Sequence, residues 1–376
     1  MLKGIHLTLL VGPVVPLPTP RIVIEALQSV KVTSSAGGGS ASGFELTFAF
    51  SADSPLNTIF LLAGGQTPLL RVVIIVTINS VPQVLMDGVM TNHQIHPGPG
   101  GGTSTLTVMG KDLTKVMSLQ DFGGLPYPAM PIEARVALIV AKYAMFGLIP
   151  FIVPTLFTDV PIPTDRIPTH EGTDLEYIEQ LGRDVGYVFY IEPGPVPGTN
   201  VAYFGPPIKI GVPQPALNID MDAHTNVESL SFTFETAETS LPIVMIQNAF
   251  TKIAIPIPIP SINPLQPPLG AIPTPITNIR VLRDTAQLTV PAALGRGVAE
   301  ASRTQDAVSG HGSLDVLRYG RVLRSRQLVG VRGAGLAFDG LYYIEQVTST
   351  LKRGELKQDF TLSRNGIVSL LPVVPA

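Results

Sequence analysis

The chain has 376 residues, which is enough for two or three domains with sizeable cores. Charged residues make up only 14% and hydrophobic residues 45%, a balance that excludes an intrinsically disordered protein. Without cysteine the chain has no disulfides and no thiolate chemistry. Glycine and proline supply 36 residues each, which is typical of a β-rich protein with many turns, and a mean hydropathy of +0.34 favours apolar surface hidden in an assembly.

The first third of the chain reads as short strands separated by glycine and proline turns. Strands are predicted over residues 44–51, 70–79, 83–91 and 105–109. Such spacing favours an antiparallel barrel or sandwich.

An apolar stretch over residues 134–157 is the best candidate for a membrane span. Arg135 and Lys142 interrupt its first half, and Pro150 and Pro154 interrupt its second. We therefore expect a core helix over 131–147 followed by an extended segment, and no stable membrane insertion. The N-terminus is apolar but has no small-residue cleavage site, so no signal peptide is expected.

The stretch THEGTDLEYIEQLGRDVGYVFYIEP, residues 169–193, has the clearest local signals in the chain. Thr173 and Glu176 fit a capping box at the start of a helix. Apolar residues then recur at near-helical spacing until Gly186, which suits a helix C-terminus because glycine enters the left-handed conformation at little cost. Residues 187–191 are aromatic and β-branched, which predicts a buried strand.

The C-terminal half returns to strand patterns around one unusual segment. Strands are predicted over residues 216–220, 228–236, 327–332, 341–350 and 358–364. Residues 253–279 contain eight prolines, which predicts an extended, polyproline-like arm that is neither a helix nor a central strand. No strand pattern is visible between Lys252 and about Tyr319.

Several residue pairs could be considered for chemistry. His93 and His96 are three apart but lie at the end of a predicted strand before a glycine loop, without a third ligand. The segment GHGS, residues 310–313, has no third member of a triad. The carboxylate pairs are Asp220 with Asp222 and Glu235 with Glu238, and no positioned partner is visible for either. We therefore predict no catalytic site, no metal site and no cofactor.

Charge is unevenly distributed. Residues before Asn278 carry an excess of Asp and Glu, and those from Asn278 onward carry an excess of Lys and Arg. The basic cluster comprises Arg318, Arg321, Arg324, Arg326 and Arg332. No nucleic-acid-reading motif accompanies it, so a solvated face or a contact with a partner protein is favoured over nucleic acid.

The 169–193 stretch resembles a segment of the baseplate hub proteins of contractile injection systems. This family includes the central hub of contractile phage tails, the phage late control D proteins and the N-terminal part of type VI secretion spike proteins. The matching residues are Thr173, Asp174, Leu175, Tyr177, Ile178, Gly186, Tyr187 and Phe189.

Two further segments agree with this resemblance. Residues 87–117 look like the family's first-barrel pattern, with Gly88, Gly110 and Asp112 at the matching positions. Residues 340–366 resemble the closing hairpin of the second barrel. There Gly340 and Tyr342 begin one strand and Arg364 ends the next. The three segments occur in family order along most of the chain.

The resemblance implies an α+β fold that is mainly β, with two tube-like antiparallel β-barrel domains joined by a small α/β domain. The first barrel would span 1–125, the α/β connecting domain 126–212, and a discontinuous second barrel 213–252 and 313–366. A proline-rich insertion would span 253–312 and a C-terminal tail 367–376.

The implied function is that of a structural hub. A homotrimeric ring would adapt the sixfold inner tube, or a tube-initiator protein, to a trimeric spike carried on a separate chain, and it would contact other baseplate proteins. It would assemble in the cytoplasm and become part of a phage tail-like particle. Nucleic acid contact is not required.

Two alternatives remain from the sequence. One is a hub-associated peptidoglycan hydrolase, which would show an acid/base constellation on a groove. The other is a β-rich carbohydrate-binding module, which would show exposed aromatic residues. No acid/base constellation is visible in the sequence, which disfavours the hydrolase, and the chain has no tryptophan and only 6% aromatic residues, which disfavours the carbohydrate-binding module.

Overall fold

The computed structural model describes residues 4–37, 42–51, 54, 56, 59–60, 69–98, 103–155, 159–235, 240–247, 254–260, 266–282, 285, 288–303 and 306–370. Its helices are α1 (Arg21–Ala26), α2 (Thr114–Met117), α3 (Ile132–Ala141), α4 (Asp174–Val185), α5 (Val290–Arg303) and α6 (Val316–Tyr319), with short 3₁₀ helices at Ala144–Phe146 and Asp222–His224. None of the described helices is both long and apolar enough to cross a membrane.

Most strands belong to one large sheet. Its N-terminal group is β1 (Ile5–Gly12), β2 (Leu17–Pro18), β3 (Leu27–Ser35), β4 (Gly43–Phe50), β5 (Arg71–Ile78), β6 (Val81–His96) and β7 (Ser104–Asp112). Three smaller sheets contain β8 (Leu148–Ile152), β9 (Val188–Pro193) and β10 (Asn200–Gly205); β13 (Ser240–Gln247), β14 (Ala254–Pro258) and β16 (Asn278–Leu282); and β15 (Gly270–Pro273) and β21 (Gly366–Ser369). The C-terminal group of the large sheet is β11 (Gln214–Asn218), β12 (Ser229–Phe234), β17 (Val308–Asp315), β18 (Leu328–Arg332), β19 (Gly340–Lys352) and β20 (Glu355–Arg364).

The large sheet joins the two ends of the chain. Its order is β12-β17-β20-β19-β3-β4-β7-β6-β5-β1-β2, and β18 lies between β11 and the first residues of β19. The second part of β19 pairs antiparallel with β3, where Thr33 and Thr348 are opposite each other with their hydroxyl oxygens 3.2 Å apart. One apolar core runs beneath both groups. The α+β, mainly β fold class is confirmed; closure of each strand group into a barrel stays a prediction.

The α/β unit lies between the two strand groups in sequence. Strands β8 and β10 are parallel and β9 is antiparallel to β10. Helices α3 and α4 share a second apolar core with this sheet. The helix predicted over 131–147 is α3 and the following 3₁₀ turn, and it ends at Gly147, whose φ of 75° is left-handed.

The prediction that strands are absent between Lys252 and about Tyr319 was wrong, and the described parts of the extended arm predicted over 253–279 form short strands. Residues 253–312 contain β14, β15, β16, helix α5 and the start of β17. Strand β14 tolerates Pro256 and Pro258 because it lies at the edge of its sheet, where a missing N–H breaks no ladder. Helix α5 was missed because Pro291, Gly295 and Gly297 weaken its helical pattern.

The predicted second barrel draws its strands from both parts of the chain. Strand β11 pairs with β18, and β12 pairs with β17. Strand β13 instead pairs with β14 and β16. The predicted boundary at residue 312 falls inside β17, and the start of the predicted tail at 367 falls inside β21; residues 371–376 lie outside the described part of the chain. The domain division stays a prediction.

Candidate assembly surface

Two glycines of the first-barrel motif allow three strands to approach closely. A Cβ on Gly88 would lie 2.2 Å from the carbonyl oxygen of Lys111, and a Cβ on Gly110 would lie 2.2 Å from the ring of Phe44. No larger side chain fits at either position. At the end of β7, the carboxylate of Asp112 accepts hydrogen bonds from the Thr114 hydroxyl and, at 3.1 Å, from the Thr114 N–H at the start of α2. Burial raises the pKa of Asp112.

The motif residues near the C-terminus meet at one point. The guanidinium of Arg364 is fully buried and donates to the carbonyl oxygens of Asp339 at 2.9 Å and Ala337 at 2.7 Å. It lies 4.4 Å from the centre of the Tyr342 ring. Gly340 has a φ of 137°, and a Cβ there would lie 2.6 Å from Arg364 Nη1. The three motif positions therefore hold the turn that precedes β19.

Helix α4 begins with the predicted capping box. The Thr173 N–H donates to Glu176 Oε2 at 2.9 Å, and the Glu176 N–H donates to Thr173 Oγ1 at 3.3 Å. Gly186 ends the helix with a φ of 74°. The buried face includes Ile178, and Leu175 contacts the same core from a half-buried position.

The start of α4 also carries a buried carboxylate. Asp174 accepts from Lys142 Nζ at 2.9 Å and from the Tyr143 hydroxyl at 2.7 Å. His170 Nε2 lies 3.5 Å from the same carboxylate, and His170 Nδ1 lies 2.9 Å from the Tyr127 hydroxyl. Burial lowers the pKa of His170. These contacts fasten the loop that precedes the helix to α3.

Two aromatic motif residues follow α4: Tyr187 lies just before β9, and Phe189 lies within it. Phe189 belongs to the core shared by the two helices. Tyr187 donates to the carbonyl oxygen of Pro154 at 2.7 Å and packs edge-on against Phe204. Burial raises the pKa of Tyr187 to about 12. Tyr177 stacks on Tyr127 within the same unit. All of these contacts are internal to the α/β unit.

A second buried ionic network joins the N-terminal strands to the α/β unit, and the sequence analysis missed it. Arg71 on β5 donates to both carboxylate oxygens of Asp87 on β6, at 2.7 and 2.6 Å. It also donates to the carbonyl oxygen of Phe146 at 2.9 Å, and Asn200 donates to Asp87 at 2.9 Å. The available signal was a charged residue at the start of a buried strand, which must find a partner.

The α/β unit reaches the C-terminal strand group through a row of stacked rings. On the face of the small sheet opposite its core, Phe151, Tyr203 and Tyr190 stack with centroid separations of 5.8 and 4.8 Å. Arg326 lies 4.1 Å from the centre of the Tyr190 ring and donates to the carbonyl oxygen of Ser35. Arg326 thus links the α/β unit to both strand groups.

The outer end of this ring row is open. Phe151 and Ile149 on the edge strand β8 are each more than half exposed. The part of the chain from β14 to the start of α5 adds further exposed apolar side chains: Ile255, Ile272, Ile276, Ile279 and Val281. Apolar exposure concentrated on short edge strands is typical of surfaces that are covered in an assembly.

The residue pairs considered for chemistry do not form a site in the described part of the chain. His93 and His96 lie on β6, and no group of three metal-ligating side chains occurs among the described residues. Ser313 has its hydroxyl 2.8 Å from that of Ser229, and no histidine is its partner. Asp220 and Asp222 are exposed in a loop. Glu235 is also exposed, and Glu238 lies outside the described residues.

The five arginines of the basic cluster have different environments. Arg318, Arg321 and Arg324 are exposed, whereas Arg326 stacks on Tyr190 and Arg332 is partly buried in β18. A separate cleft of about 600 Å³ contains Lys209, whose ammonium contacts Asp306 at 2.5 Å. Glu345 in the same cleft accepts from Ser363 at 2.7 Å, and burial raises its pKa. These groups are paired with one another.

No protein-family model and no curated protein matches the sequence. Solved structures do match. A tail protein from Neisseria meningitidis MC58 is 14% identical with a TM-score of 0.63, and the match covers 97% of this chain and 98% of that one. The chain has the fold of phage tail proteins.

Two further structures share this fold. The 43 kDa tail protein of prophage MuSo2 from Shewanella oneidensis is 14% identical with a TM-score of 0.60, and the match covers 96% of this chain and 98% of that one. An E. coli component of the type VI secretion system is 10% identical with a TM-score of 0.54, and the match covers 93% and 76%. The resemblance predicted from the three sequence segments is therefore confirmed at the level of the fold.

Proposed function

We propose that this protein is a structural hub of a contractile injection system. The supporting observation is the match to tail proteins over nearly the whole of both chains. The α/β unit adds to it, because buried ionic and stacking contacts at Arg71 and Arg326 make it a bracket between two strand groups.

The proposed assembly is a homotrimeric ring. Each chain would supply two tube-like units, the first over 1–125 and the second over 213–252 and 313–366, so that three chains present six similar units to the inner tube or its initiator. The same ring would present threefold symmetry to a separate trimeric spike and would contact other baseplate proteins. It would assemble in the cytoplasm and end in a tail-like particle.

The proposed role is non-enzymatic. Three carboxylates inside the described folded units, Asp87, Asp174 and Asp306, are each paired with a cation. A general acid or base needs a group that can reach a substrate. The motif residues of the family hold turns and helix ends instead.

Native mass spectrometry of the purified chain tests this proposal. We expect a trimer at micromolar concentration, because apolar surface such as Phe151 would be covered between copies. Co-expression with the trimeric spike chain of the same particle should give one complex that contains three copies of each. A stable monomer that does not bind the spike would contradict the proposal.

A further inference from the structure

A pocket of about 300 Å³ lies where α4, α5 and β16 meet. Three arginines line it, Arg183, Arg280 and Arg296, together with the carboxylates Asp184 and Glu300. Among the described residues that line the pocket, positive groups therefore outnumber negative groups by one. Arg183 and Arg280 are more than half exposed at its mouth.

The three arginines differ in their partners. Arg280 forms an ion pair with Glu300, and Arg183 donates to Gln180 at 2.9 Å and forms an ion pair with Glu179 at 3.8 Å. Arg296 has neither an ion pair nor a hydrogen bond within the described part of the chain. A guanidinium that is partly buried without a partner attracts an anion, and its planar fork matches a carboxylate with two parallel hydrogen bonds.

The chain carries free carboxylates on a braced loop elsewhere. Asp220 and Asp222, between β11 and β12, are both exposed and have no ion pair among the described residues. Each has a φ of 50°, in the left-handed region. The loop is held in place because Asn226 accepts from the Asn218 N–H at 2.8 Å and donates to the carbonyl oxygen of Ala216 at 2.8 Å. The two carboxylates are thus presented at little further entropic cost.

We propose that the loop of Asp220 and Asp222 docks into the arginine pocket of a second copy of this chain. The inference rests on the proposed function, since a closed ring of identical chains requires contact between two different surfaces of each copy. The pocket and the loop are the complementary pair of charges that such a head-to-tail contact needs. Charge complementarity would also fix the register of neighbouring copies.

Charge reversal of each surface tests the contact. The pocket variant is Arg280→Glu with Arg296→Glu, and the loop variant is Asp220→Lys with Asp222→Lys. Either should raise the apparent dissociation constant of the trimer by about thirtyfold or more, the loss expected for a hydrogen-bonded charge pair. Mass photometry over a concentration series measures it. Arg321→Glu and Glu171→Lys are matched controls, because both residues are exposed and outside the proposed contact.

Combining the reversals sharpens the test. A chain that carries all four substitutions should form trimers again. A mixture of the pocket variant with the loop variant should not form trimers. The native acidic loop of the pocket variant can bind only the native basic pocket of the loop variant, and the reversed loop can bind only the reversed pocket. The two kinds of copy would then have to alternate, which a three-membered ring does not allow. Asp220→Asn with Asp222→Asn removes the charge while keeping side chains that tolerate positive φ, and it should also weaken the trimer.

The outcomes separate this inference from the hub proposal. If the wild-type chain is not a trimer, the hub proposal fails. If the wild type is a trimer and the pocket, loop and Asn variants, with wild-type melting temperatures, remain trimers, only the docking contact is overturned. Trimers that keep their affinity but no longer bind the spike would show that the pocket serves another partner, which also overturns it. A chain that carries all four substitutions and is folded but stays monomeric would also overturn the docking contact.

Discussion

Two buried arginines stabilise two regions of this molecule in different ways. Arg71 joins the N-terminal strands to the α/β unit through the carboxylate of Asp87. Arg364 holds a turn within the C-terminal strand group through two carbonyl oxygens and the ring of Tyr342, and no carboxylate is its partner in the described residues. Burial lowers the pKa of Arg364. A junction between units thus depends on full charge neutralisation, whereas a turn within one unit depends on backbone dipoles.

The largest expected effect is at the junction. Asp87→Ala leaves the guanidinium of Arg71 buried without a counter-charge, which should lower the free energy of unfolding by about 3–5 kcal/mol. Chemical denaturation measures the change. Replacing both partners by apolar residues, Arg71→Met with Asp87→Leu, should cost much less than the single substitution. A loss below about 1 kcal/mol for Asp87→Ala would show that the pair does not hold the junction.

The second-largest loss of stability is expected in the apolar core of the α/β unit. Ile178 is fully buried between the helices and the small sheet, so Ile178→Ala should lower the free energy of unfolding by about 3 kcal/mol through lost burial and a cavity. Glu179→Ala, on the exposed face of the same helix, is the matched control and should change it by less than about 0.5 kcal/mol. Equal effects of the two substitutions would contradict the assigned orientation of α4.

A smaller loss is expected at the turn. Arg364→Met removes the buried charge itself and the two hydrogen bonds that it donates. Only the carbonyl oxygens of Ala337 and Asp339 are then left without these donors. We expect a loss of about 2 kcal/mol, below that of Asp87→Ala, in thermal or denaturant unfolding. Should Arg364→Met prove the more damaging of the two, backbone dipoles would be shown to matter more than the ion pair.

The smallest expected effect is the pH dependence of the free energy of unfolding that arises from His170, next to Asp174. Because burial lowers the pKa of His170, the folded protein keeps this imidazole neutral where the unfolded chain, with a pKa of about 6.5, binds a proton. The unfolded state then binds more protons, so the free energy of unfolding should fall as the pH drops below about 6.5. His170→Gln should flatten the slope of stability against pH between about 6.5 and 5. An unchanged slope in the variant would assign the acid sensitivity to other groups.

Local signals explain why some elements were predictable. The capping box, apolar spacing and C-terminal glycine of α4 all lie within fourteen residues of sequence, 173–186, and the structure has the same helix. The proline edge strands and α5 were not predictable in this way. Glycines at 295 and 297 weaken the helical pattern, and packing against α4 and β13 provides the order instead.

The ionic junction was missed because its partners are far apart in sequence. Asp87 and Asn200 are separated by 113 positions, and the Thr33 and Thr348 hydroxyls that join the two strand groups are separated by 315. No local pattern encodes such contacts. The resemblance of three short segments to hub proteins indicated the fold without such contacts, because Gly88, Gly110 and Gly340 mark positions where a larger side chain would meet neighbouring atoms, and Arg364 binds two backbone carbonyl groups.

The central claim is that three copies of this chain form a hub that presents two similar units from each copy. Electron microscopy of the purified assembly, with class averages viewed along its axis, tests it most directly. The account predicts a ring with threefold symmetry and six similar lobes around a central opening. Single isolated particles at micromolar concentration, or a ring in which the lobes do not number six, would contradict it.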